Sequence, residues 1–322
     1  MDVDDKMKKA DNILPEDILT DGLPRILPPS EDGVFQAMLT LPEARIALED
    51  MVESVLNFPI MTVILRKNEA PSRDIRAKQE RYDVSCVVNS LEGDQCNIEM
   101  QASPMKGDNL ENEHRNIRWR SILDLCDLHA NQEGKGIWYG HYMRSYQVIL
   151  CNFRVFRENR KLVDIYTFRN PEGQELCDAV TVIFIDLSQA KRIAKKPVSE
   201  MTRIERWVVF IALGNQPKYS AIIKEIIKQQ EGIAVANEVL MSISQNPDER
   251  ARFLSRRKWL RDREHDHAVS RDEGIQIGIQ ETRAEYEPLL AAKDAKLAGK
   301  DAEIADKDAE IKALRALLEA RQ

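Results

Sequence analysis

The chain has 322 residues, 43% of them hydrophobic and 31% charged, with a net charge of −7 and five cysteines. That length allows one sizeable core plus an appendage, or two modest domains, and the polar balance points to a globular protein with a charge-rich portion. The scattered, odd set of cysteines, with no CxxC spacing, argues against a zinc site and a disulfide framework; the mild acidity argues against a dedicated nucleic-acid binder, though not against a nuclease with local basic patches.

The first residues, Met1-Asp2-Val3-Asp4-Asp5-Lys6, lack the basic and apolar regions of a signal peptide. The longest apolar runs, 179–185 and 207–213, are too short to span a bilayer, so no membrane partner and a cytoplasmic location are expected. Residues 1–30, with Pro15, Pro24, Pro28 and Pro29, read as an irregular N-terminal arm. An amphipathic stretch follows, from Val34 to Leu56, which Pro42 is expected to break into two helices. Residues 60–65 are β-branched and apolar, as in a buried strand, and a polar loop then runs to Arg81.

Residues 82–88 and 96–101 each alternate apolar and polar side chains, the pattern of half-buried strands. Turn formers from Asn89 to Asp94 join them into an antiparallel hairpin. With the turn centred near Glu92-Gly93, Asp83 is expected opposite Gln101 or Ala102, and Glu99 becomes its diagonal neighbour at roughly 7–8 Å between Cα atoms. Glu99 and Gln101, two apart, share one face. Two carboxylates and an amide on one side of a sheet suit a divalent cation; on the residues alone, the solvent face of an ordinary hairpin is the commoner reading.

A loop over 102–109 leads to a helix over 110–130, with Ile117, Ile122, Leu125 and Leu128 as its apolar stripe. Residues 147–153, 162–168 and 179–187 are strand candidates, and from Met201 onward the pattern is helical. Seven basic residues between Arg250 and Arg263 are interleaved with acids and read as a solvated helix face rather than a phosphate contact; His265 and His267 have no third metal ligand in view. The four tryptophans, Trp119, Trp138, Trp207 and Trp259, read as core or interface residues. Seven-residue repeats begin at Lys293, Lys300 and Lys307, with Leu297, Ile304, Ile311 and Leu318 recurring once per heptad. A homo-oligomer through this C-terminal helix and a solvated single helix are the two readings.

Asp83, Asn97-Ile98-Glu99-Met100-Gln101, and the segment from Arg115 through Trp119 to Ser121 resemble the recombination-promoting nuclease, or transposase-like, branch of the PD-(D/E)XK nucleases. Residues 32–39, 146–156 and 273–280 are similar to further segments of that branch, so the resemblance runs from about Asp32 to Gln280. Trp119 stands where tyrosine is more usual and Gln36 where lysine is common, while glutamine at the catalytic lysine position, as Gln101 here, is frequent in the branch.

The resemblance implies an α/β, restriction-endonuclease-like core with a central mixed sheet flanked by helices, followed by a helical C-terminal region and a heptad-repeat tail. The expected division is an arm over 1–30, the nuclease-like core over 31–200, a helical extension over 201–280 and the charged tail over 281–322. It also implies a DNA endonuclease that uses Mg2+, with Mn2+ as a substitute, in recombination or transposition-like DNA breakage. Asp83, Glu99 and the carbonyl of Met100 would hold the metal, Gln101 would orient water, and Arg115 would contact phosphate or a carboxylate. The competing readings are a catalytically silent DNA-binding protein with the same fold and a scaffold that works through its tail.

Overall fold

The computed structural model describes residues 26–66, 83–89, 93–101, 110–132, 142–156 and 161–319. The N-terminal arm up to residue 25, the loops at 67–82 and 102–109, and Trp138 lie outside these residues.

The hairpin forms from β2 (Val84–Val88) and β3 (Asp94–Gln101), antiparallel as expected. Its register differs from the expected one: Val84 pairs with Ile98 and Val88 with Asp94, two residues away from the register that would set Asp83 against Gln101. Asn89 ends β2 in the left-handed region, at φ 71°, a conformation asparagine tolerates better than most residues. Its side-chain oxygen accepts a hydrogen bond from the Met61 amide, fixing the approach to β1 (Val63–Leu65). Extending the register by one residue sets Asp83 directly opposite Glu99 rather than diagonal to it.

From β3 the chain crosses through α3 (Leu110–Ala130) to β4 (Ser145–Cys151), which lies parallel to β3. Strand β6 (Val180–Asp186) continues the parallel part, and β5 (Val163–Tyr166) closes the edge antiparallel to it. The result is a six-stranded mixed sheet in the order β1-β2-β3-β4-β6-β5.

Alternation along the strands divides the apolar side chains between two cores. Val84, Cys86, Cys96, Ile98, Met100, Val148, Leu150, Ile183 and Ile185 face α1 (Asp32–Thr40), α2 (Arg45–Leu56) and the helices that follow the sheet. Those helices are α5 (Arg203–Leu213), α6 (Ser220–Gln229) and α7 (Glu231–Gln245), reached through the short α4 (Ala190–Ile193); Trp207, Phe210, Ile226 and Leu240 belong to the same core as the sheet. Pro42 starts a 3-10 turn between α1 and α2, where its ring ends one helix without disturbing the next. On the opposite face, Ile149, Cys151, Val182 and Phe184 pack against Ile117 and Leu125 of α3.

Both faces of the hairpin are therefore covered. Every residue of β2 is buried, as are Gln95 through Met100 of β3, so the alternation marks two different interiors rather than an interior and a wet face. Cys86 and Cys96 lie opposite each other as buried free thiols.

Helix α8 (Pro247–Glu319) is 73 residues long, and the Asn246 side chain caps its start by accepting hydrogen bonds from the Asp248 and Glu249 amides. The chain divides into two units, Met1–Leu254 and Ser255–Gln322, with Leu254 buried in the core of the first. In the first unit, buried Arg250 points Nη1 at the Ser244 carbonyl, 3.5 Å away. In the second, His265 and Trp259 are exposed. No helix among the described residues is long and apolar enough to cross a membrane.

Candidate active site

The ladder between β2 and β3 ends at Val84, and the next backbone donor on β3 would be orphaned there. Asp83 supplies the missing partner: its Oδ2 accepts a hydrogen bond from the Met100 amide at 2.7 Å. In a strand the N–H and C=O of one residue point to the same neighbour, so the Met100 carbonyl is directed to the side where Asp83 sits. Glu99 and Gln101 alternate onto the opposite face of β3 from Met100, beneath α3.

Helix α3 completes the cluster with two residues not expected from the sequence. Arg120 Nη2 lies 2.5 Å from Glu99 Oε2 and Arg120 Nε lies 3.5 Å from Asp124 Oδ2, the second an ion pair too long for a hydrogen bond. Spaced i, i+4, Arg120 and Asp124 present to the sheet together. Arg115 does not join them. It is exposed, with its guanidinium 5.5 Å over the ring of Trp119, which is itself 61% exposed. Ile122, expected in the apolar stripe, also faces outward, whereas Ile117, Leu125 and Leu128 are buried.

The helix is held in place at both ends. His114 stacks on Phe153 at 5.9 Å, and Arg118 lies over Phe156. At the other end, the Gln132 amide donates to the Met143 carbonyl at 2.7 Å and its oxygen accepts from the Met143 amide, while His129 Nδ1 lies 3.0 Å from Ser145 Oγ. Arg120 and Asp124 thus sit on a fixed support.

Charge is concentrated here. Glu99 is only 6% exposed. Burial pushes its carboxyl up to about 8; Arg120 opposes that rise, and Asp124 and Asp83 add to it. Burial also raises Asp124, against the pull of Arg120. Three carboxylates against one guanidinium leave excess negative charge in a poorly solvated space, which holds a proton in the absence of a cation.

A divalent metal fits this donor set. Asp83, Glu99 and the Met100 carbonyl offer hard oxygens, and two carboxylates with an open remainder are what Mg2+ ordinarily takes from a protein. Among the described residues no group of three or more His, Cys, Asp or Glu side chains forms a ready-made metal cage.

The raised Glu99 value has a stability consequence. Its contribution is fully present below about 4.5 and is lost as the pH rises toward 8. Metal-free wild-type protein is expected to lose thermal stability between about pH 5 and pH 8, and Glu99→Gln, which cannot ionise, to lose several degrees less. Parallel melting curves across that range check this; identical slopes would contradict it.

The family model for the PD-(D/E)XK nuclease family transposase matches residues 29–269. The chain belongs to this family. The mixed sheet flanked by helices agrees with the restriction-endonuclease-like fold expected of a member. Membership supports a nuclease-like function and implies DNA as the substrate class; nucleases of this kind typically use divalent metals. No curated protein and no solved structure matches the chain.

Proposed function

We propose that this chain is a metal-dependent DNA endonuclease, hydrolysing phosphodiester bonds in recombination or transposition-like breakage. The observation that carries the reading is the hydrogen bond from the Met100 amide to Asp83, which sets that carboxylate close enough to act on the charge of buried Glu99, in a member of a nuclease family. Asp83, Glu99 and Met100 hold Mg2+, with Mn2+ able to replace it. When bound, the cation acidifies a water molecule and neutralises charge on the scissile phosphate.

The protein's own groups do the rest. Gln101, two residues beyond Glu99 on the same face, can orient a water through its amide but cannot bring the positive charge that lysine would. Arg120 balances the carboxylates and presents a forked donor suited to phosphate, held by its short contact with Glu99 and drawn by the longer ion pair with Asp124. In this reading Arg120 takes the part that the resemblance gave to Arg115.

Nicking of supercoiled plasmid in Mg2+ or Mn2+ tests the assignment, with Asp83→Asn expected to remove it. Arg120→Ala is expected to lower the rate by about 100-fold, the scale of losing one positioned donor, whereas Arg115→Ala stays within a few-fold of wild type. Equal losses at both arginines would count against the geometry. Gln101 in the lysine position favours the second reading, a silent DNA-binding protein. Retained DNA binding with no metal-dependent nicking by wild type would select it.

A further inference from the structure

Along the second unit, Leu290, Leu297, Ile304, Ile311 and Leu318 recur at seven-residue steps. Tyr286 and Leu314, placed four before and three after members of that row, begin and end a parallel row one turn away. Between them this second row holds Lys293, Lys300 and Lys307. All seven apolar residues lie on one continuous helix and are 48–67% exposed.

An undisturbed α-helix drifts about 20° per heptad relative to a strict seven-residue period, so a surface helix facing its own core has no reason to keep that period. A helix supercoiled with a partner of the same period does. We infer that this row is the seam of a parallel, in-register coiled coil between two copies of this chain. The first row occupies the a positions of the heptad and the second the d positions.

Charge complementarity favours the second copy as occupant. In a parallel pair each d side chain packs into a hole that includes the partner's following e residue. Lys293, Lys300 and Lys307 are followed by Asp294, Asp301 and Asp308, so each seam lysine meets a carboxylate of the other copy and its apolar stem covers the seam. The lysines weaken the pair relative to leucine while specifying its register. Seven half-exposed side chains per helix would bury on the order of 1,000 Å2 in total, the low end of specific interfaces.

Sedimentation equilibrium of the full chain tests the inference, over roughly 1–100 μM so that weak pairing is visible. Wild type is expected to form a reversible dimer. Ile304→Lys combined with Ile311→Lys should weaken it at least about tenfold, and Lys300→Leu combined with Lys307→Leu should tighten it by a similar factor. All four positions are exposed, so melting of the first unit serves as a folding control and should not move. A monomeric wild type, or variants that both associate as wild type does, would overturn the inference.

Discussion

Glu99→Gln is expected to reduce metal-dependent plasmid nicking by roughly 1,000-fold, well beyond the 10–100-fold typical of residues that merely support a metal ligand. Glutamine keeps the shape and can still accept from Arg120, which stands 2.5 Å from Glu99 Oε2 in the wild type. What it loses is the negative charge that a hard cation requires. The loss must therefore come with intact folding. Above neutral pH the variant should melt no lower than wild type, because it no longer forces ionisation of a buried carboxyl. Activity within tenfold of wild type would remove Glu99 from the site. Lost activity together with a collapsed melting temperature would instead give it a structural role.

The second large effect lies far from the chemistry, at Asp50 on α2. Its Oδ2 accepts from Trp207 Nε1 and from the Gln230 side-chain amide, both at 2.6 Å, and its Oδ1 pairs with Arg203 at 2.5 Å. One carboxylate therefore binds α2 to the start and middle of α5 and to the residue preceding α7. Asp50→Ala would strand a buried indole N–H and an amide together, at a cost of about 3–5 kcal/mol. In a protein of this size that amounts to roughly 10 °C in melting temperature.

Gly232, on the first turn of α7, is the counterpart of that carboxylate. A Cβ there would lie 2.2 Å from the Asp50 Cβ, a distance no packed pair sustains. Gly232→Ala is expected to cost about 3 kcal/mol by forcing α2 and α7 apart. Urea unfolding measures both, and a change under about 1 kcal/mol in either would show that the junction repacks freely.

Much of the architecture was legible in the residues. Each strand corresponds to an apolar or alternating run, the helix over 110–130 to a long periodic segment, and the α1–α2 break to Pro42. The register was not legible, because Asn89, Ser90, Gly93 and Asp94 are all turn formers and single out no one centre for the connection. A two-residue slip preserves the face of every side chain, so placing Asp83 against Gln101 kept Asp83, Glu99 and Gln101 on the same side. The alternative placement against Ala102 would have separated them.

The contribution of α3 was hidden by its composition. Of the expected stripe, Ile117, Leu125 and Leu128 do face inward, but Ile122 faces outward beside exposed Trp119 and Leu123, and the inward face carries Ser121 and Asp124 as well. The available signal was an Arg–Asp pair at i, i+4 set into that inner row. Likewise, polar residues on β2 and β3 resembled a wet surface because no single-strand pattern reveals that a helix will cover them. Asn97 and Gln147, fully buried side by side on β3 and β4, are the plainest instance.

The bond from the Met100 amide to Asp83 has a bearing on genetics. An alanine allele at this position would delete a chemical group and fray a strand end in one stroke, and its phenotype could not be divided between the two. Asparagine still offers an oxygen to that amide while forfeiting the charge. Comparing the two alleles in living cells would separate a blunted enzyme from a damaged scaffold.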